Sequence, residues 1–345
     1  MSSGGGLASR VDRDELIRCS EVYDTAVGIV SAFHTLFTTQ RDLAPTVAHF
    51  ERYPNLAHSD GKPATPDFTV LFNDGSALVG EIANVTLVDQ GVDRLCSQIL
   101  RYDSLTEVPT GTGAGVTPTW VDVLLFVNVG TGTAAVHRII DDRLANSDHP
   151  YKPSVPPCIV TAIPGSSGYT FMRQGDAANG RLREGERQGI GDWMMKGDIT
   201  VPADYLVDNK AEWVFMNDSI DPLYLATHLW TREFATKAAS QPRMGSVVHL
   251  VVNCGDLATE LKAKYGKGSR SEVEHAMELL GRGKFATRCD GANWEVAWGE
   301  FTYTDDDLRG AIATRAAKPP GEGTLGRLRR AQREIKKAAT AQTLF

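Results

Sequence analysis

The chain has 345 residues, 42% of them hydrophobic, and a formal net charge of −7. This length can bury a sizeable core and allows two domains, or one domain with appendages. No apolar run is long enough to span a bilayer and no secretory h-region is present, so we expect a cytoplasmic protein that does not enter membranes. The five cysteines are scattered without a CxxC pair, which indicates neither a disulfide framework nor a zinc knuckle.

The first two thirds of the chain alternate between helical and strand patterns. Residues 1–10 form a Ser/Gly-rich leader that we expect to be disordered. Apolar residues then recur at helical spacing up to about Gln40, which predicts an amphipathic helix. The runs DFTVLF and ALVGEIANV are joined by NDGS, which predicts a β-hairpin. Next come a predicted helix in GVDRLCSQILRYDSL, a polar loop, a buried strand in WVDVLLFVNV and a helix from about Thr133 to Ala145.

This order of elements predicts an α/β sandwich with a mixed sheet over residues 11–150. Residues 151–215 are predicted to be a β-rich extension, with strands in PPCIVTAIPG and YTFMR and a mobile polar loop after them. We assign no function to that extension from the sequence.

The last third begins with a predicted helix in SIDPLYLATHLWTREFATKAA, for which Asp221 is the expected N-cap. A strand, SVVHLVV, precedes a helix that we expect to begin at Asp256 and to end at Gly266. The following helix carries the capping-box pattern Ser269 to Glu272. A predicted hairpin around CDGAN then places three residues on one strand face, namely Trp294, Val296 and Trp298.

The order of elements over residues 216–304 resembles that of the winged-helix domain. That resemblance implies that the second helix and the wing contact DNA. However, Glu274 and Glu278 point outward from that helix, and outward carboxylates repel phosphate. We therefore expect contacts to the phosphate backbone, without sequence preference, from Lys262, Lys264, Lys267, Arg270 and Arg288. The alternative is a winged helix that contacts a protein.

The predicted hairpin contains two acids of interest, Asp67 at the start of its first strand and Glu81 in its second. Side chains two residues apart in a strand share a face, so Glu81 and Ala83 lie on one face and Asn84 points to the other. The turn brings Asp67 back towards Glu81. Two carboxylates and an intervening carbonyl are oxygen ligands of the kind that Mg²⁺ binds.

The stretch PDFTVLFNDGSALVGEIANVT resembles the core of the PD-(D/E)xK nuclease superfamily. Pro66 and Asp67 match the PD, and Glu81 matches the second acid. Gln98 and Tyr102 match a QxxxY pattern that borders the active site on the next helix in some members. The resemblance implies a restriction-endonuclease-like fold, with Asp67 and Glu81 as metal ligands. It implies catalytic roles for Asp67, Glu81, Gln98 and Tyr102.

The sequence departs from the family at Ala83, where a lysine is expected to position or activate water. The resemblance covers roughly residues 12–145. Arg94 and Arg101 share a helix face with Gln98 and can brace a phosphate, but arginine is a poor general base. Some family members take a further metal ligand from the first helix, for which Glu21 is the candidate.

The segment 305–345 is predicted to be a linker followed by a basic amphipathic tail helix. Between Arg315 and Lys337 it carries eight basic and two acidic residues. We expect Arg329 and Arg330 to contact DNA. An acidic partner, or the acidic remainder of the protein, is the alternative target.

The sequence therefore predicts a DNA-associated protein from a prokaryotic or phage mobile-element or defence context. Its nuclease-like site is expected to be degenerate, and the protein to act as a DNA-binding or scaffold subunit. One alternative is an active Mg²⁺-dependent endonuclease or exonuclease, and Mg²⁺ is expected only in that case. Another is a protein-interaction adaptor or regulator that uses the winged helix and the basic tail.

Overall fold

The structure is a computed structural model in which the described residues form a mixed α/β protein with a seven-stranded and a three-stranded sheet. They separate into a large-sheet unit, residues 25–218, and a small-sheet unit, residues 1–24 and 219–345. The structure describes residues 12–56, 64–83, 88–154, 156–165, 168–174, 198–203, 214–216, 218–241, 247–299 and 305–317. The predicted disordered leader lies outside them.

The large-sheet unit begins within helix α1, Arg13–Thr39, because the division between the units falls after Asp24. Its other helices are α2 (Asp89–Asp103) and α3 (Gly132–Val136), the latter continued by a π-helix, His137–Leu144, with short 3₁₀ turns at Ala44–Thr46 and Val129–Thr131. Its strands are β1 (Val47–Arg52), β2 (Phe68–Phe72), β3 (Ala77–Ile82), β4 (Val108–Pro109), β5 (Gly115–Val116), β6 (Val121–Val127), β7 (Cys158–Gly165), β8 (Gly168–Arg173) and β9 (Ile199–Pro202).

The large sheet has the strand order β1-β2-β3-β6-β7-β8-β9. The pairs β3–β6 and β6–β7 are parallel, and the other pairs are antiparallel. Parallel neighbours need a crossover connection, and α2 and α3 supply the two that this sheet requires. The hairpin β2–β3 therefore lies directly beside the central parallel strand β6.

Helices cover both faces of the large sheet. On one face, residues of α1 such as Phe33 and Phe37 form a buried cluster with Phe68 and Phe126. On the other face, residues of α2 and α3 form a second cluster with the alternate side chains of β3 and β6, including Val79 and Leu125. Each strand contributes to both clusters because successive side chains point to opposite faces.

The predicted order of helix, hairpin, helix, buried strand and helix is confirmed, but the sheet is larger than expected. Strand β1 was not predicted, because VAHFER is a half-exposed edge strand without a clear alternation. The predicted loop TEVPTGTGAGVTPT contains the small hairpin β4–β5, so its assignment as loop alone was wrong. Strands β7 to β9 come from the predicted extension and complete the same sheet, because β7 pairs directly with β6.

The small-sheet unit contains an antiparallel sheet with the order β10-β12-β11. Its strands are β10 (Val247–Asn253), β11 (Ala286–Asp290) and β12 (Asn293–Gly299). Its helices are α4 (Pro222–His228), a π-helix (Leu229–Phe234), α5 (Ala235–Ala239), α6 (Cys254–Tyr265), α7 (Arg270–Arg282) and α8 (Asp305–Ala316). The predicted inward face of β12 is confirmed, because its members Trp294, Val296 and Trp298 are all buried.

Three of the four predicted helix ends in this unit are confirmed. The Asp221 carboxylate accepts hydrogen bonds from the amides of Leu223 and Tyr224. Gly266 ends α6 in the left-handed region, with a φ of 71°. The capping box of Ser269 and Glu272 opens α7.

The predicted start of α6 was wrong by a few residues, because the helix is capped by Asn253 instead of Asp256. The Asn253 side-chain oxygen accepts hydrogen bonds from the amides of Gly255 and Asp256 at 2.8 and 3.3 Å. An asparagine at the end of a strand can cap the helix that follows directly, and this places Asp256 in the first turn.

The region after residue 305 begins with helix α8, so the prediction of a linker there was wrong. Leu308, Ile312 and Ala316 recur at helical spacing and are buried. The basic segment predicted beyond it lies outside the described residues. Among the described helices, none combines the length and apolar character needed to cross a membrane.

Gly80 in β3 makes room for the ring of Phe68, since an added Cβ would lie 2.1 Å from two ring carbons. Phe68 is fully buried, so Gly80→Ala should lower the free energy of unfolding by roughly 1–3 kcal/mol. Urea unfolding measures this loss. Gly130→Ala is the control, because nothing lies within 4 Å of its added Cβ. Equal stability of the two variants would contradict the packing described.

Candidate functional site

Asp67 is fixed at the entrance of β2 by three backbone-linked hydrogen bonds. Its amide donates to the Gly80 carbonyl at 3.0 Å, and its carbonyl accepts from the Tyr53 amide at 2.9 Å. Its carboxylate Oδ2 accepts from the Ile82 amide at 2.7 Å. The side chain is therefore held beside the end of β3, as the sequence predicts for this hairpin.

Glu81 is held by two side chains of α2. Gln98 Nε2 donates to Glu81 Oε1 at 2.8 Å, and the Tyr102 hydroxyl donates to Oε2 at 2.5 Å. Gln98 Nε2 also lies 2.8 Å from the Tyr102 hydroxyl oxygen. The predicted QxxxY pair therefore lies at the acid that it was expected to border, and it orients both oxygens of that carboxylate.

Burial acts on both carboxyl groups, and the charge of Asp67 acts on Glu81. Loss of hydration raises the pKa of Asp67 to about 7, against the lowering effect of the Ile82 amide. Loss of hydration and the nearby charge of Asp67 raise the pKa of Glu81 to about 8. Loss of hydration, together with the charge and the hydrogen bond of Glu81, raises the pKa of Tyr102, which therefore stays protonated and remains a donor. Asp67 and Glu81 thus form one titrating pair near neutral pH.

Asp218 is a third acid of this site that the sequence analysis missed. It is exposed, and its negative charge contributes to the raised pKa of both Asp67 and Glu81. It lies far from the hairpin along the chain and outside any recognisable motif. No local pattern could have placed it beside the pair.

Ala83 lies on the same side of the sheet as Glu81. It is partly buried against the cluster that includes α2, and its amide donates to the Phe126 carbonyl at 2.8 Å. Ile82 between them packs against the opposite cluster, which agrees with the predicted alternation. The position that carries lysine in the family is therefore a methyl group against a core. Asn84 lies outside the described residues.

Two cations lie on α2 on either side of Gln98. Arg94 and Arg101 are both exposed, and neither guanidinium group has a hydrogen bond or ion pair within the described part of the chain. The spacing of three and four residues gives them a common helix face with Gln98. The structure therefore leaves two guanidinium groups available on the helix that orients Glu81.

Glu21 is exposed on the part of α1 that belongs to the small-sheet unit, whereas Asp67 and Glu81 belong to the large-sheet unit. Among the described residues, no group of three or more His, Cys, Asp or Glu side chains is arranged to hold a metal. The expectation that Glu21 is a third ligand stays a prediction. The described site consists of the carboxylate pair, with Asp218 near it.

The cations expected to contact DNA have different surroundings in the small-sheet unit. Lys262 is exposed, and Lys267 is half-buried. Lys264 forms an ion pair with Glu233 at 3.1 Å, and Arg270 forms one with Glu274 at 2.8 Å. Two of the predicted contacts are thus already neutralised by neighbouring acids.

Arg288 is exposed, and its Nε donates to the Gly291 carbonyl at 2.9 Å. Its guanidinium lies 5.7 Å from the ring centroid of Trp294. Arg282 and Lys284, which the sequence analysis did not single out, are exposed in the same part of the unit. Arg329 and Arg330 lie outside the described residues.

Comparisons of the chain with models of known protein families, with curated proteins and with solved structures each find no match. The resemblance to the PD-(D/E)xK superfamily therefore rests on the residues and contacts described above.

The carboxylate pair predicts a pH dependence of stability. The carboxyl groups of an unfolded chain titrate near pH 4, whereas the folded pair titrates at about pH 7 to 8. Between these values the folded protein holds more protons than the unfolded one. The free energy of unfolding should therefore fall as the pH rises through this window, by on the order of a few kcal/mol.

Asp67→Asn tests this dependence, since the amide oxygen can still accept from the Ile82 amide while one titrating group is removed. Urea unfolding at a series of pH values should show a shallower decline for this variant than for the wild type. Asp42→Asn, at an exposed position, is the control and should decline like the wild type. A decline as steep in Asp67→Asn as in the wild type would contradict the assignment.

Proposed function

We propose that this chain is a DNA-associated protein whose large-sheet unit carries a degenerate PD-(D/E)xK site. The observation that carries the proposal is the carboxylate pair Asp67 and Glu81, oriented by Gln98 and Tyr102, with Ala83 in the position of the lysine. The protein acts as a DNA-binding or scaffold subunit, with little or no DNA cleavage of its own. A prokaryotic or phage mobile-element or defence system is the proposed context.

The order of elements supports the restriction-endonuclease-like part of the proposal. Helix α1, the hairpin β2–β3, helix α2, strand β6 and helix α3 follow one another as in the PD-(D/E)xK core. In the small-sheet unit, helix, strand, two helices and a hairpin, with the sheet order β10-β12-β11, support a winged-helix assignment. Both assignments belong to the proposal, since no known structure matches.

The donor set of the pair suits Mg²⁺. Mg²⁺ is usually held by one or two carboxylates and keeps several waters, so Asp67 and Glu81 are sufficient ligands. Asp67 Oδ1 has no hydrogen bond in the described part of the chain, because the Ile82 amide occupies only Oδ2. A bound divalent cation would also offset the loss of hydration that raises both pKa values, and the charge of Asp67 that raises the pKa of Glu81 further. When bound, such an ion supplies Lewis-acid stabilisation of a phosphoryl oxygen.

The residues around the carboxylate pair are better suited to binding phosphate than to transferring protons. Ala83 has no group that can accept a proton from water. Arg94 and Arg101 can hold phosphate oxygens, but a guanidinium group stays protonated and is a poor base. Each carboxylate oxygen of Glu81 already accepts a hydrogen bond, from Gln98 or Tyr102, which makes Glu81 a weaker acceptor of a proton from water. The site is therefore proposed to hold DNA and a cation while lacking the group that activates water.

A second candidate function, a protein-interaction adaptor, is favoured by the acids of α7. Glu278 is exposed on that helix, and Glu274 forms an ion pair with Arg270. The helix that a winged helix would insert into DNA thus presents uncompensated negative charge at Glu278. In this alternative the small-sheet unit and the basic segment bind a protein.

Introducing a lysine at position 83 tests the proposal that the site is degenerate. Purified wild type, Ala83→Lys and Ala83→Met are incubated with supercoiled, linear and single-stranded DNA in the presence of Mg²⁺ or Mn²⁺. The wild type should bind DNA without cleaving it, and Ala83→Lys should gain cleavage, because the amine then lies on the face of Glu81. Ala83→Met is the matched control, since it adds similar length without an amine.

Asp67→Ala and Glu81→Ala are assayed in the same way, to test whether any cleavage depends on the two assigned acids. Cleavage by the wild type that both substitutions abolish would replace the proposal with an active Mg²⁺-dependent nuclease. Cleavage that neither substitution affects would show that the assigned site is wrong. Failure of the wild type to bind any of the DNA forms would favour the adaptor.

A further inference from the structure

The small-sheet unit contains a groove between the C-terminal end of α7 and the strand β11. Its volume is about 700 Å³, and its lining includes Glu278, Arg282, Lys284, Thr287, Arg288 and Trp294. Three of these side chains are cations and one is an acid. The groove therefore carries a local positive charge on a chain whose net charge is negative.

The cations of the groove have few partners. Arg282 and Lys284 are exposed, and the structure gives them no hydrogen bond or ion pair with another described side chain. Arg288 donates one hydrogen bond, from Nε to the Gly291 carbonyl. Its terminal nitrogens make no hydrogen bond with the described residues. By contrast, Lys264 and Arg270 at the other end of the helix pair are bound to acids. The groove thus holds three cations that form no ion pair among the described residues.

The backbone at Lys284 is a second, independent observation. This residue has a φ of 61°, in the left-handed region that glycine and asparagine adopt more readily. A lysine is present there in the tight turn between α7 and β11. Backbone strain of this kind is often found at functional sites, and here it occurs at a residue that lines the groove.

The residues that line the groove favour a polyanionic ligand over a partner that binds through apolar side chains. Trp294 is only 6% exposed, so its ring is not available as a pocket for a partner's apolar side chain. Protein interfaces usually depend on such buried anchors. Guanidinium groups, in contrast, match phosphate oxygens with paired hydrogen bonds. The chemistry of the groove fits a phosphodiester backbone better than a protein surface.

We propose that this groove, and not the turn between α6 and α7, is where the small-sheet unit binds the phosphate backbone of DNA. Arg282, Lys284 and Arg288 contact phosphates, and Glu278 stands at the edge of the contact. Because phosphates carry no sequence information, binding through the groove is independent of sequence. The proposal rests on the DNA association proposed above and deepens it by naming the contact surface.

Single-charge substitutions in the full chain test the groove. Affinity for a short fluorescent DNA duplex is measured across a range of salt concentrations for the wild type, Arg282→Gln, Lys284→Gln and Lys262→Gln. Each groove variant should bind more weakly, and its slope of log affinity against log salt should be shallower by about one, which corresponds to one lost phosphate contact. Lys262→Gln removes the same charge from the last helical turn of α6, and this variant should keep the wild-type slope.

The outcomes separate this proposal from the one on which it rests. A shallower slope in Lys262→Gln with unchanged groove variants would overturn the groove and leave DNA association standing. A wild type that binds neither duplex nor single-stranded DNA would overturn both. Binding of a fluorescent polyglutamate peptide that both groove variants lose, with duplex binding unchanged, would assign the groove to an acidic protein partner. Thermal unfolding verifies that these exposed substitutions leave the fold intact.

Discussion

The placement of two carboxyl groups side by side at the end of one hairpin is the constraint on which the site depends. Asp67 is fixed by the backbone of β3, and Glu81 is fixed by α2, so the pair forms only when the hairpin and the helix are packed. Two partly buried carboxyl groups side by side repel each other when both are negatively charged. They need either protons or a cation, and the shifted pKa values record that requirement.

Close packing surrounds the two acids, Asp67 and Glu81, on both faces of the sheet. Phe68 follows Asp67 directly and fills the space that Gly80, next to Glu81, leaves open. Tyr102 is buried in the core of the opposite face and still reaches Glu81 with its hydroxyl. Tyr102 therefore both packs in the core and orients one of the two acids. Loss of core packing and loss of the site should therefore occur together.

Much of this arrangement could be predicted from local sequence. The turn NDGS, the alternation around Glu81 and the spacing of Gln98 and Tyr102 each carry a geometric rule, and the structure follows these rules. Strand β1 was missed because an edge strand such as VAHFER has no strong pattern. Asp218 was missed because only the tertiary fold brings its charge near the carboxylate pair. The groove at Lys284 was missed because charge counting along the chain cannot reveal which cations are already neutralised by acids.

Calorimetric titration with Mn²⁺ in buffers of different ionisation enthalpy counts the protons released when the metal binds, and it tests the carboxylate pair most directly. Near pH 7 the pair should hold protons, so we predict Mn²⁺ binding with proton release. Asp67→Asn should bind Mn²⁺ more weakly and release fewer protons, and Asp42→Asn should match the wild type. Binding without proton release, or equal binding by Asp67→Asn, would contradict the metal-binding account of this site.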